Sequence, residues 1–240
     1  MLEQIDEDVW VAEQPLRYFG VSIRTRMTVL RVASDELAII SPIRLDQDCR
    51  HKLDALGAVK HIIAPNLYHY FFVSECKQQY PIATVWAAPG LKSKCPQLPI
   101  DRTISEDIGR QLNDIQAVFW DGFRTLTPKG AEYLNEYVFL HVPSRTLILT
   151  DAAFNFDRSF PPLTQFAMQV LGNFNRLGPS LLERVATTDQ QSLRVAVETV
   201  LAWDFSRIIM AHGSIIESNA KDQFRHGYER FLGELLTAAP

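Results

Sequence analysis

Three hydrophobic runs in this sequence end abruptly in residues able to bind a metal ion or move a proton. The run Val59-Lys60-His61-Ile62-Ile63-Ala64 gives way to Pro65-Asn66-Leu67-Tyr68-His69-Tyr70. Thr146 to Thr150 gives way to Asp151, and Arg207 to Ala211 gives way to His212 and Gly213. In α/β folds, chemistry collects where strands end and the chain leaves the sheet. Two neutral imidazoles and one carboxylate make a common ligand set for zinc, iron or manganese, and three protein ligands leave positions for water. The set exists only if the three strand ends meet. Each residue also has a plainer role open to it: an Asp after a strand can cap the next helix, and a His beside Gly can bond a backbone carbonyl.

Whether they meet depends on the elements that carry them. Short runs rich in β-branched residues and bounded by turn formers read as strands. Met27–Val32 and Leu37–Ile40 form a first hairpin around residues 33–36. Val59–Ala64 and Ala83–Ala88 follow as single strands. Tyr137–Val142 and Thr146–Thr150 form a second hairpin around Pro143-Ser144-Arg145, and Arg207–Ala211 is the last strand. Helical spacing predicts Asp46–Leu56, stopped by Gly57, then Tyr70–Gln79, Leu163–Leu171, Ser192–Trp203 and Lys221–Leu236. Hairpins mixed with β-α-β alternation predict mixed sheets between helices rather than a plain doubly wound parallel sheet. No Gly-rich phosphate loop follows any strand, so dinucleotide and P-loop readings fail.

Composition narrows the class. The chain has 240 residues, 47% hydrophobic and 22% charged, which excludes disordered, collagen-like and coiled-coil chains. One domain over residues 1–240 is expected, large enough to bury a core without staples. A net charge of −4 offers no general attraction to nucleic acid, and no run approaches the ~20 apolar residues of a membrane span. Cys49, Cys76 and Cys95 lack CxxC spacing, and the acidic start Glu3 to Asp8 lacks the apolar core of a secretory signal. These features predict a cytoplasmic protein whose partner is a small-molecule substrate or ligand, with neither nucleic acid nor membrane. Nothing in them sets an oligomeric state.

Several strings, in order, carry a resemblance: Ala12 to Arg17, Thr25 to Thr28, Ala64 to His69, Pro143 to Asp151 and Ala202 to Phe205. They resemble a bacterial family of unknown function within the metallo-β-lactamase superfamily, over nearly the whole chain. The resemblance implies an α/β fold, a four-layer αββα sandwich of two mixed β-sheets. It also implies a departure. Active members carry His-x-His-x-Asp-His after the second main strand. Here Pro65 and Leu67 stand at the first two His positions, His69 at the Asp and Tyr70 at the last His. No His lies between Thr127 and Val138, where Glu132 and Glu136 are the nearest ligating residues. Asp151 matches the bridging aspartate and His212 the final histidine. The first metal position is therefore lost, and the second retains His69, Asp151 and His212.

Two functions follow from this. One is a mononuclear metal-dependent hydrolase acting on a small ester, thioester, amide or phosphoester. It would use one zinc, iron or manganese ion on His69, Asp151 and His212, the same three residues being the catalytic set. Asn66, Glu136 and Tyr70 would bind substrate or orient the attacking water. The other is a degenerate, non-catalytic domain without metal that binds a ligand or a protein. His61 and His141 are assigned to structure, His141 to a surface or strand face; His51 and His226 lack partners at ligand spacing. The four tryptophans read as core or sheet-edge fillers. Asn155, Phe156 and Arg158 suit a pocket mouth or equally a helix-entry loop, and Arg24, Arg26 and Arg31 fit a solvated face better than a site that attracts an anionic substrate.

Overall fold

The computed structural model describes residues 1–236. Its first half opens with β1 (Glu3–Asp6) and β2 (Val9–Gln14), paired antiparallel. Sequence patterning misses β2 because Val9, Trp10, Val11 and Ala12 are all buried, leaving no alternation to detect. A two-residue ribbon, β3 (Arg17–Tyr18) with β4 (Val21–Ser22), precedes the expected hairpin of β5 (Thr25–Ala33) and β6 (Glu36–Ile40). Then come α1 (Gln47–Leu56), β7 (Ala58–Ala64), α2 (Val73–Gln79), β8 (Thr84–Ala87), α3 (Leu91–Lys94) and β9 (Arg102–Thr103). Asp46 caps α1 by accepting the Cys49 N–H at 2.7 Å, and Gly57 ends it. These strands form one sheet in the order β1-β2-β5-β6-β7-β8-β9, antiparallel up to β6 and parallel beyond it.

The second half builds a smaller sheet. Its elements are β10 (Ile115–Phe119), β11 (Arg124–Thr127), β12 (Gly130–Tyr133), β13 (Tyr137–His141), β14 (Thr146–Ile148), α4 (Pro162–Leu171), α5 (Leu181–Ala186), α6 (Gln190–Ala202), β15 (Arg207–Ile209) and α7 (Ala220–Leu232). The order β10-β13-β14-β15 is antiparallel except for the parallel β14–β15 pair. The two expected hairpins thus lie in different sheets. α7 stops four residues before the expected Leu236, because Gly233 takes a left-handed φ of +78° that closes the helix. Residues 237–240, part of the expected domain, lie outside the described residues.

Apolar side chains set the layers. Leu30, Ile63 and Trp86 of the large sheet pack with Phe139, Ile148 and Ile209 of the small one in a single buried cluster. The outer face of the large sheet buries Ile62 and Val85 with Leu53 of α1 and Val73 of α2. The outer face of the small sheet buries Leu140 and Leu147 with Val197 of α6 and Phe224 of α7. Helix, sheet, sheet and helix make the four-layer αββα sandwich of mixed sheets that the resemblance implies. His141 is not at the surface: it is buried, 2.7 Å from Ser144 Oγ through Nδ1 and 3.3 Å from the Arg31 carbonyl through Nε2. Trp120, Trp10 and Trp86 are buried fillers, and Trp86 donates to His61 Nδ1 at 3.1 Å. No helix among the described residues is long and apolar enough to cross a membrane.

Phe139 lies fully buried between the sheets, whereas Phe166 of α4 is 64% exposed. Phe139→Ala should cost about 3–5 kcal/mol in urea unfolding, and Phe166→Ala about 0.5 kcal/mol or less. Equal losses would contradict a core held between the two sheets.

Candidate functional site

Register brings the first two candidate ligands together. β14 and β15 run parallel with Ile148 opposite Ile209, so Asp151 and His212 each lie three residues beyond that pair. Leu149 N–H donates to the Ile209 carbonyl at 2.8 Å, extending the ladder toward them. His69 arrives from the other sheet. Beyond β7, the Pro65 carbonyl accepts from Tyr137 N–H at 2.8 Å, and Leu67 N–H donates to Leu134 O at 2.9 Å. This ties the His69 loop to the start of β13. One donor atom from each of His69, Asp151 and His212 lies within 4.8 Å of the others. His69 Nε2 is 3.3 Å from Asp151 Oδ2, and His212 Nε2 is 3.5 Å from Asp151 Oδ1. The three strand ends converge.

Both imidazoles are braced from behind. His212 Nδ1 lies 2.7 Å from the Arg24 carbonyl, which can only accept, so Nδ1 carries a hydrogen and Nε2 of the neutral ring offers a lone pair. His69 Nδ1 lies 2.6 Å from Ser41 Oγ, leaving its Nε2 toward Asp151. Burial, against the pull of the Asp151 carboxylate, brings His212 down to about 4, so its ring is neutral at pH 7. Burial alone would raise the Asp151 carboxyl, but the two imidazoles and the Asn66 amide bring it down to about 2. Burial would lower His69 too, yet the neighbouring carboxylate outweighs it and holds the ring above its ordinary value. His212 Nε2 and Asp151 Oδ1 therefore face each other as two acceptors with no hydrogen between them.

Glu136 and Asn66 form the support beneath. Glu136, fully buried, accepts from Thr150 N–H at 2.8 Å and Ala152 N–H at 3.2 Å through Oε1. Through Oε2 it accepts from Asp151 N–H at 2.8 Å and Asn66 Nδ2 at 3.0 Å. Asn66 Nδ2 also lies 2.8 Å from Asp151 Oδ2, while its Oδ1 accepts the N–H groups of Tyr68 and His69, both at 2.8 Å. Burial and then the Asp151 charge push the Glu136 carboxyl up. All of its hydrogen-bond partners are N–H donors, and neither residue lines the cleft, so both position the site rather than face a substrate.

His69, Asp151 and His212 open into a cleft of about 440 Å³, also lined by Tyr70, Phe154 and Phe156. Arg158 is exposed and does not line it, and Asn155 is buried, its carbonyl accepting Ser214 N–H at 2.6 Å. Of the arginines assigned to a solvated face, Arg26 is a correction. It is buried, pairs with Glu13, and donates to the carbonyls of Met210 at 2.5 Å and Gly213 at 2.7 Å, clamping the His212 turn. Nothing local in Thr25-Arg26-Met27-Thr28 signals this, because the carbonyls it reaches lie 184 and 187 residues away. Ser41 was also missed, although Ile39-Ile40-Ser41 is a fourth strand end with a polar exit. Its φ is +55°. Gly213 has φ +101°, and a Cβ there would stand 2.1 Å from the Asn155 carbonyl oxygen, so only glycine fits after His212.

Comparison with known proteins agrees with this fold. The family described as "Domain of unknown function (DUF4336)" matches residues 6–176. No curated protein matches the sequence. Among solved structures, a metallo-β-lactamase from Pontibacter korlensis is similar at 11% identity over 97% of this chain and 98% of its own, with a TM-score of 0.61. One from Erythrobacter litoralis, with β-mercaptoethanol in the active site, gives 13%, 95%, 96% and 0.64. The metallo-β-lactamase FIM-1 from Pseudomonas aeruginosa, in its mono-zinc form, gives 11%, 97%, 96% and 0.61. At these identities the likeness fixes the fold.

Glu136→Gln keeps the shape but turns an amide N–H₂ toward N–H donors. It should cost about 2–4 kcal/mol in urea unfolding. A loss below about 0.5 kcal/mol would mean that Glu136 does not hold the Asp151 turn.

Proposed function

Since the chain belongs to the family of domains of unknown function DUF4336, we propose its activity from the site itself: a hydrolase that holds one divalent cation, zinc foremost, on His69, Asp151 and His212. The observation that carries this reading is the pair of facing acceptors, His212 Nε2 and Asp151 Oδ1, 3.5 Å apart with His212 neutral. Water could bridge them with its own hydrogens. A cation satisfies both and the His69 Nε2 as well, in the two-His, one-carboxylate set that suits zinc, iron or manganese. The braces support it further, because a ligating His ordinarily donates its other ring N–H to a fixed acceptor. Arg24 O takes that role for His212, and Ser41 Oγ, able to donate or accept, braces His69 Nδ1. FIM-1 in its mono-zinc form is a protein of this fold with a single ion.

Bound there, such an ion supplies Lewis acidity, lowering the pKa of water and polarising a carbonyl. The chain's own residues do the rest. Asn66 and Glu136 hold Asp151 in place, Arg26 holds the turn that presents His212, and Tyr70 lines the cleft where substrate would lie. Among the described residues no second cluster of ligands stands beside this one, and Pro65 and Leu67 carry no donor side chains. Hence a mononuclear site.

One further contact favours a second reading. Ser41 Oγ, His69 and Asp151 stand in a Ser-His-Asp order, with Ser41 lining the cleft in a strained left-handed conformation. In that reading Ser41 Oγ bonds to the acyl carbon as His69 takes its proton; the bond to the leaving oxygen, sulfur or nitrogen breaks, and the leaving group departs with that proton. Water then hydrolyses the acyl-serine, releasing the acid and returning the proton to Ser41.

Calorimetric titration of chelator-treated protein with zinc should give one site. His69→Ala, Asp151→Ala and His212→Ala should each weaken binding at least ~100-fold, and Ser41→Ala about tenfold. Ester turnover should follow zinc occupancy. Turnover that persists in chelator, ends with Ser41→Ala and is blocked by a fluorophosphonate attached to Ser41 would replace the metal reading with the serine one.

A further inference from the structure

The walls of the cleft differ sharply from its polar patch. Away from His69, Asp151 and His212, the lining is formed largely by Leu16, Ile23, Phe154, Phe156, Met168 and Leu171. Several polar groups in the same wall are engaged within the protein, although Asn173 Oδ1 is buried without a hydrogen-bond partner. Glu183 accepts from Thr125 Oγ1 at 2.8 Å and Ser180 N–H at 2.9 Å, and Asn173 donates to the Gly178 carbonyl at 2.6 Å. No Lys or Arg is among the described residues that line it, whereas two carboxylates, Asp151 and Glu183, are. Two basic groups that flank it are engaged within the protein. Arg24 pairs with Glu13 and lies over the Phe160 ring, and Lys94 donates to the Leu67 carbonyl above Tyr68. The apolar lining also reaches solvent, at Phe71, 74% exposed, and Tyr18, 46% exposed.

We propose that this cleft takes an uncharged ester, thioester or amide with an apolar acyl group and rejects phosphoesters and other anions; the proposal rests on the hydrolase reading of the same site. Apart from the cation, which every substrate would meet, a phosphoester would find no arginine or lysine in the lining to pair the rest of its charge, and Asp151 and Glu183 lie in the same wall. An apolar acyl chain instead exchanges water for Phe156, Met168 and Leu171. At about 0.8 kcal/mol per buried methylene, each added CH₂ is worth about fourfold. A cleft of about 440 Å³ falls within the ordinary range for small-molecule sites. In the reaction, the oxygen of water bonds to the acyl carbon and the bond to the leaving oxygen, sulfur or nitrogen breaks. The leaving atom takes the electron pair and the proton that water gives up, so one water is consumed and an acid and an alcohol, thiol or amine are released.

Two series test the ligand and the chemistry separately. The first measures kcat/KM of zinc-loaded protein for 4-nitrophenyl acetate, butanoate, hexanoate and octanoate, with 4-nitrophenyl phosphate beside them. Values should rise about fourfold per methylene until the cleft is full, and the phosphate should turn over at least ~100-fold less well than octanoate. The second measures calorimetric binding of methyl n-alkyl ketones from butanone to decanone, which cannot be hydrolysed. Affinity should rise with chain length, and phenyl phosphate should not bind. Leu171→Asp places a charge in the apolar wall and should lower decanone affinity at least about tenfold. Chain-length-dependent ketone binding without turnover of any ester would uphold the ligand class and remove the hydrolase reading. Turnover of acetate with a flat ester series, flat ketone affinities or a preferred phosphate would uphold the hydrolase and overturn this proposal.

Discussion

A carboxylate buried without a counter-cation holds this site together. Removing Glu136 from water costs several kcal/mol, and an isolated buried charge would not be retained. Its compensation is local: the N–H groups of Thr150, Asp151 and Ala152 all point at its two oxygens. Three successive amides can converge in this way only if the turn after β14 curls around the carboxylate, forming a small anion nest. That curl sets the direction in which the Asp151 side chain leaves the backbone. The Asn66 amide joins the same carboxylate and, through its Oδ1, receives the His69 N–H. One buried group thus fixes loops from both sheets, and the distances between His69 and Asp151 follow from it.

The electrostatics continue from this arrangement. Asp151 is a second carboxylate close to the first, and it raises the Glu136 carboxyl as a neighbour of like charge does. Arg26, the buried cation nearest in the fold, has its charge matched by Glu13 and its N–H groups taken by Met210 and Gly213. His212 is neutral. Asp151 and Glu136 lie close together among the apolar surroundings of Phe154, Phe156 and Ile23, and Asp151 holds His69 above its ordinary value. The proposed divalent cation would add positive charge beside Asp151.

Much of this was legible in the sequence, for reasons that also explain the gaps. Asp151 and His212 were readable because both follow short apolar strands, and β14 and β15 turned out to be parallel neighbours in register. Asp46 and Gly57 bounded α1 by capping chemistry that acts within a few residues. β2 was hidden because burial on both faces erases alternation, and β10 to β12 because their burial is only partial and irregular. The roles of Glu136 and Arg26 could not be read locally. Each bonds backbone groups at least 14 residues distant, and only the packing of two sheets brings those groups within reach. Ser41 differs. The rule that found the other strand ends applies to it equally.

The loop after β7 shows how the scaffold persists where the ligand pattern of the resembling family does not. Pro65 and Leu67 carry no donor side chains, but their backbones tie this loop to the start of β13 through Tyr137 and Leu134. The loop thus keeps its course across the mouth between the sheets, and His69 is delivered to Asp151 by backbone geometry and the Asn66 amide. The two carboxylates nearest in sequence to this loop's partner strand, Glu132 and Glu136, are occupied. Glu132 accepts from Tyr68 Oη at 2.7 Å, and the oxygens of Glu136 are filled by N–H donors. Releasing either would expose a buried or bonded partner, Tyr68 in one case and the Asp151 turn in the other. The contacts that preserve the three-residue site are therefore the same ones that keep Glu132 and Glu136 out of it.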